Sequence, residues 1–245
     1  MDMVIICLIA GGFAGGFVNG LAGFGTALFA LGWFLQVLPP REAVGVVLVC
    51  TLVTGLGGMW QVRHSIHLRR LARFLVPGLI GTPFGLMALA LVDASSLSLI
   101  VGMMLLAYGG YFSFRRSIPE ITGSWKVLES GIGFAGGVLG GMAGLCGALP
   151  SMWLALRPWA KGERRGVLQP YNMVILTVAA GLLAYDGGFT LPVLSSLGVA
   201  LPASIVGSVA GLMLFRRISD AVYQRLLIIL ILLSGISLLV RTLLS

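Results

Sequence analysis

A glycine-rich stretch of seventeen residues occurs twice in this chain. Gly12-Phe13-Ala14-Gly15-Gly16-Phe17-Val18-Asn19-Gly20-Leu21-Ala22-Gly23-Phe24-Gly25-Thr26-Ala27-Leu28 returns 121 residues later as Gly133-Phe134-Ala135-Gly136-Gly137-Val138-Leu139-Gly140-Gly141-Met142-Ala143-Gly144-Leu145-Cys146-Gly147-Ala148-Leu149, with ten of the seventeen positions identical and no gap. Self-similarity at a fixed offset marks a duplicated structural unit. Whatever the first copy does, the second copy must do in a related setting.

The solvent of that unit follows from composition. Of 245 residues, 58% are hydrophobic and 10% charged, and the mean hydropathy is +1.04. One water-soluble core cannot hide so much apolar surface, whereas helices of roughly 20 apolar residues cross roughly 30 Å of hydrocarbon. The alternating pattern of a membrane barrel is absent. The net charge of +8 would suit nucleic acid in a soluble protein. Here the basic residues sit at the ends of apolar runs, where headgroups and topology account for them, so no nucleic-acid partner is expected. The start, Met1-Asp2-Met3-Val4, lacks the basic region of a signal peptide and is expected to be retained. Cys7, Cys50 and Cys146 lie in apolar segments without metal or redox spacing, and no cofactor is called for.

The chain reads as an all-α polytopic membrane protein with an inverted internal repeat and eight helical segments. Residues 1–120 form the first repeat, with a broken segment at 3–37 and helices at 42–62, 74–92 and 97–114. Residues 121–245 form the second, with a broken segment at 130–156 and helices at 167–185, 191–215 and 226–240. Together they make one transport domain. The first broken segment is interrupted at Asn19-Gly20 and at Gly23-Phe24-Gly25, leaving legs of about 15 residues, or about 22 Å each. That length favours a hairpin that dips into the membrane and returns. Arg63, Arg69, Arg70 and Arg73 form a basic loop after the second segment. Gly81 and Gly85 in the first half, and Gly207 and Gly211 in the second, have the spacing that lets helices approach closely.

Charge separates two topologies. If each broken segment were a full crossing, eight Lys and Arg would fall on each side, a tie at odds with the positive-inside rule. If each is a re-entrant hairpin, fourteen of the sixteen fall together and only Arg41 and Arg241 lie opposite. The basic loops are then cytoplasmic, and both termini are periplasmic. Each half has an odd number of crossings, so the second copy is inverted. Non-helical backbone at membrane depth survives only against protein or a watery cavity, and two such breaks near the midplane are the layout in which broken helices hold a transporter's substrate. The plainer alternative is that the glycines serve only tight packing, which suits Gly12, Gly15 and Gly16 better than a shared break.

Each break opens a new half-helix. Amide N–H groups at Gly23, Phe24, Gly25 and Thr26, and at Gly144, Leu145, Cys146 and Gly147, are expected to point into the cavity, and a helix N-terminus favours an anion. Asn19, Thr26, Thr51 and Thr54 in one half, with Gln169, Tyr171, Asn172 and Thr177 in the other, are the neutral side chains available to complete the site; Thr51 aligns with Asn172 at the repeat offset. Threonine in a membrane helix also bonds its own i−4 carbonyl, and Tyr171 would equally serve as an interface anchor. Cys146 stands where the first copy has Gly25 and reads as a small residue at a crowded turn. No carboxylate falls at the centre of a span, and a cation site or proton relay normally needs one. Glu42 and Glu163 align at the same offset, each beginning the helix after a hairpin, which leaves helix capping and gating or proton coupling both open. His64 and His67 among the arginines read as headgroup-facing, and no metal site is expected.

The chain resembles the TauE/SafE family of sulfite and organosulfur anion exporters over nearly its whole length. The carriers are Gly11 to Thr26 and Gly133 to Gly147, the run Pro39-Pro40-Arg41-Glu42-Ala43-Val44, the basic stretch Arg63 to Arg73, and Pro77-Gly78 with Gly81 and Gly85. Where that family usually has a Gly-Gly-Gly run after the break, Gly23-Phe24-Gly25-Thr26 and Gly144-Leu145-Cys146-Gly147 stand here. The resemblance implies a bacterial inner-membrane permease that moves sulfite, sulfonates or related small anions, mainly outward. Competing readings are a permease for a carboxylate or a metal ion, and an intramembrane enzyme, which would need an acid, base or metal in the cavity. Dimerisation is left open.

Overall fold

The computed structural model describes residues 2–93, 121–123 and 125–219 in unbroken runs, and positions singly or in runs of two or three between 96 and 111 and between 222 and 240. The continuous helices are α1 (Asp2–Ala22), α2 (Thr26–Phe34), α3 (Pro40–Val62), α4 (Leu68–Leu89), α5 (Lys126–Ala143), α6 (Ala148–Ala155), α7 (Lys161–Tyr185) and α8 (Leu191–Arg217), with a short 3₁₀ turn at Arg63–Ser65. Among the described residues there is no strand. Five helical stretches, Met3–Ala22, Pro40–Ser65, Leu68–Leu89, Gly162–Tyr185 and Leu191–Arg217, are long and apolar enough to cross a membrane. The chain is an all-α polytopic membrane protein. The helices expected at 97–114 and 226–240 fall, apart from scattered helical positions in runs of one to three, outside the described residues, as do Arg115, Arg116 and Arg241.

Local chemistry sets the helix ends. Proline opens α3 and α8, where its missing N–H costs nothing. Gly144 stops α5 in the left-handed region at φ 70°. Its N–H returns to the Gly140 carbonyl at 2.9 Å while that of Leu145 returns to Leu139 at 3.1 Å, a glycine C-cap that satisfies the last carbonyls. Gly23 and Gly25 break the first segment with φ of 80° and 103°.

These ends correct several sequence expectations. The first segment is not two equal legs, because α1 has 21 residues and α2 has 9. Asn19-Gly20 does not interrupt it but lies inside α1, where the Asn19 side chain finds partners on α3 instead of bending its own backbone. The second broken segment begins at Lys126, not at Ser130. Arg69, Arg70 and Arg73 are in the opening turns of α4, so the basic loop is largely helix. In the same way α7 starts before Glu163 and Arg165.

Both broken segments fold back on themselves. Gly15 packs on Thr26 and Ala30 while Gly11 packs on Trp33, so α2 returns along α1; Gly140 packs on Cys146 while Gly136 packs on Pro150, so α6 returns along α5. The α5–α6 hairpin closes where Arg157 meets Glu129 at 2.7 Å, and Arg70 binds Glu163 near the start of α7 at 3.3 Å. The α1–α2 hairpin leads into α3 at the other end of α7, where Arg41 pairs with Asp186. The hairpins therefore approach from opposite ends of α7.

Packing is just as regular. Helix α1 lies along α8, and α5 lies along α4, each pair with backbones nearly touching at small residues. A methyl group on Gly16 would collide with the Ser204 carbonyl, and one on Gly137 with the Gly78 carbonyl; the next turn repeats this with Gly20 on Ser208 and Gly141 on Thr82. Conversely, Gly207 and Gly211 face Phe13 and Phe17, as Gly81 and Gly85 face Phe134 and Val138. Lipid gives helices no hydrophobic incentive to associate, so contact of this intimacy supplies the attraction. Helices α3 and α7 pack against each other between these pairs, with Val44, Val46, Val47, Leu48, Ile175 and Leu176 buried.

Candidate functional site

The two breaks come together at the middles of α3 and α7. A Cβ on Gly147 would stand 2.7 Å from the Phe24 Cβ and 2.8 Å from the Asn172 amide. Asn172 joins both breaks: its Nδ2 donates to the Gly23 carbonyl at 3.0 Å, and its Oδ1 accepts from the Cys146 thiol at 3.1 Å. Around this crossing is a small cavity lined by Phe24, Gly25, Thr51, Gly144, Cys146, Gly147 and Asn172 together with Leu28, Leu145, Ala148 and Leu176. Among the described residues, no charged side chain belongs to that lining.

The cavity measures about 10 Å³, close to the room one water needs. In this conformation it is closed to an oxyanion. Among the described residues, no backbone carbonyl takes the N–H of Phe24, Gly25, Cys146 or Gly147. The expectation is corrected for three amides: Gly23 N–H bonds the Asn19 carbonyl at 2.7 Å, and Gly144 and Leu145 N–H complete the cap of α5. Helical continuation consumes those donors.

Seven expected residues stand outside the lining: Asn19, Gly23, Thr26, Thr54, Gln169, Tyr171 and Thr177. Asn19 lies a turn before the first break, and its Nδ2 donates to Thr54 Oγ1 at 2.7 Å and to the Thr51 carbonyl at 3.3 Å. Gly23 presents its carbonyl to Asn172 but is behind the wall. Thr26 is fully buried at the start of α2. Gln169 reaches across to α3, donating to the Gly55 carbonyl at 2.9 Å. Tyr171 is a buried brace whose hydroxyl donates to Gly133 at 2.7 Å, tying α7 to α5. Among the described residues, Asn19 Oδ1, Thr26 Oγ1 and Gln169 Oε1 are buried without a hydrogen-bond partner. Thr51 and Thr54 bond their own i−4 carbonyls, and the exposed Thr177 does the same.

Glu42 and Glu163 occupy the first turns of α3 and α7, where a carboxylate suits the helix dipole. Both also reach the other half. Glu42 accepts from Thr190 Oγ1 at 3.4 Å, and Glu163 lies 3.3 Å from Arg70 and 3.7 Å from His67. They mark opposite ends of the molecule, far along α7 from one another.

Sequence reasoning missed Glu129. In the sequence it belongs to a polar connector, yet it is 3% exposed and bridges Arg73 at 3.1 Å and Arg157 at 2.7 Å. A signal was present, since Arg157 follows the shortest apolar leg and must end near the start of its own hairpin.

Helices long and apolar enough to span, with two broken segments that meet at one small cavity, define a polytopic membrane protein. The family model "Sulfite exporter TauE/SafE" matches residues 8–238, and the chain belongs to that family. No curated protein and no solved structure matches it.

Proposed function

We propose that the chain moves a small sulfur-containing anion, sulfite or a sulfonate, across a bacterial inner membrane by alternating access at the crossing of the two breaks, predominantly outward. The observation that carries this reading is that α2 and α6 both begin at the wall of one uncharged cavity. Their first amides present partial positive charge there, and Cys146 and Asn172 are the polar side chains beside them with Thr51 opposite. An anion needs no buried cation in such a site, and a cation would lack the carboxylates that normally hold it. The same lining favours transport over catalysis, since chemistry would require an acid, base or metal at the cavity.

The matched glycine contacts of α1 with α8 and α5 with α4, and the approach of the hairpins from opposite ends of α7, support an inverted repeat. In that reading the basic end is cytoplasmic. Transport then exchanges which hairpin is sealed at the crossing, and Glu42 and Glu163 act on the ends of the two helices that frame it. Full-length protein in proteoliposomes should release sulfite or sulfoacetate in preference to acetate and nickel. Release of acetate or nickel alone would overturn the substrate assignment.

A further inference from the structure

A larger pocket lies at the basic end, away from the breaks. It has a volume of about 300 Å³ and is lined by Arg70, Arg73, Glu129, Arg157 and Trp159, with the backbone at Gly123. That is about the lower limit for sites that enclose small molecules, and it is far roomier than the cavity between the breaks.

We propose that this pocket is a second anion site, which binds an oxyanion of the phosphate or sulfonate class. The group comes either from the headgroup of an anionic lipid or from a free ion. Arg157 is 4% exposed. One of its terminal nitrogens is committed to the carbonyls of Ile121 at 3.0 Å and Gly123 at 2.6 Å, the other to Glu129, and its guanidinium lies 4.7 Å from the Trp153 ring. Its Nε is buried and, among the described residues, has no hydrogen-bond partner. With its terminal nitrogens committed, Arg157 adds its charge to the wall of the pocket.

The charge balance agrees. Among the described residues, three arginines face one carboxylate in the wall. Just outside, Glu163 binds Arg70, while Arg164 donates to the Arg157 carbonyl at 2.9 Å and His67 stands by Glu163. Among the described residues, the four arginines Arg70, Arg73, Arg157 and Arg164 meet two carboxylates, Glu129 and Glu163, at this end. Trp159 holds the Arg70 guanidinium 4.2 Å from its ring, so the fork is presented in a fixed plane, the geometry that suits bidentate oxyanion recognition. Basic pockets between helices at a membrane face are also where acidic headgroups settle. The proposal stands whether or not the cavity between the breaks is the transport site.

Thermal unfolding of the full-length protein tests it. Lipid-free detergent samples receive inorganic phosphate at constant ionic strength, and parallel samples receive phosphatidylglycerol or phosphatidylcholine. Phosphate or phosphatidylglycerol should raise the midpoint of the wild type and of Asn172→Ala, with phosphatidylcholine inert. The shift should fall by at least half in Arg70→Gln and vanish in Arg70→Gln/Arg73→Gln. A response to phosphate identifies a free ion as a source; a response to phosphatidylglycerol alone identifies the lipid. No shift with either, a full shift in Arg70→Gln, or a shift abolished by Asn172→Ala overturns the proposal. Should the double variant fail to fold, Arg70→Gln alone decides.

Discussion

The side-chain amide of Asn172 donates to the backbone carbonyl of Gly23 at 3.0 Å, across 149 residues of sequence. The same amide accepts from Cys146, so one residue at the middle of α7 fastens the breaks of both hairpins. Any movement of one hairpin against the other must release at least one of these bonds.

Asn172→Leu keeps the number and branching of the side-chain heavy atoms but leaves the Gly23 carbonyl without its donor. Losing a partner to a buried polar group costs about 1–3 kcal/mol. Thermal unfolding in detergent should show a lowered midpoint, and an unchanged one would mean that the carbonyl finds water or another donor.

Glycines that look alike in sequence should respond in opposite ways. Gly137→Ala drives a methyl into the Gly78 carbonyl, and overpacking of this kind costs about 1–3 kcal/mol. Gly144→Ala brings a Cβ within 3.1 Å of Val47 and forces φ of 70° on the residue that carries it, the latter at about 1–2 kcal/mol. Gly131, with nothing within 4 Å of a Cβ, should tolerate alanine and gain up to about 1 kcal/mol of helix propensity. The order of unfolding midpoints checks all three.

Glu129→Gln removes the carboxylate between Arg73 and Arg157. Breaking one side of a buried ion pair typically costs about 3–5 kcal/mol, because Arg157 stays buried beside a neutral group. The exposed pair Arg41 and Asp186 offers the contrast: Asp186→Asn should change stability by less than about 1 kcal/mol. Equal effects from the two substitutions would contradict the burial of Glu129.

Sidedness is open to chemical labelling, since Cys7, Cys50 and Cys146 are all buried. In intact cells stripped of the outer membrane, Tyr185→Cys, at a position 95% exposed, should react with an impermeant maleimide. His64→Cys, at the basic end, should react only after permeabilisation. The reverse pattern would invert the proposed topology.

How much of this was legible depended on why each residue is there. The glycines of the two repeats serve close approach and positive φ, requirements that no other residue meets, so their pattern exposed the duplicated breaks directly. Asn19-Gly20 misled because the dipeptide signals a turn where water solvates the backbone. Within α1 the Asn19 amide instead reaches Thr54 and Thr51 on α3. Tyr171 looked like a site or interface residue, and only the neighbouring helix reveals it as a brace to Gly133. The Glu129 cluster was illegible because its partners are 56 residues before it and 28 after it, brought together by the packing of α5 on α4 and the return of α6. Local pattern does not encode pairings of that range.

A small sulfur anion is proposed to pass at the crossing held by Asn172. Sulfite release from proteoliposomes bearing wild type and Asn172→Ala, both verified as folded by size-exclusion profile, tests it most directly. Wild type should release sulfite well above empty liposomes, and Asn172→Ala should slow release at least about tenfold, equivalent to about 1.4 kcal/mol. Release that is equal in the two proteins, or no release of sulfite or any sulfonate by the wild type, would contradict the account.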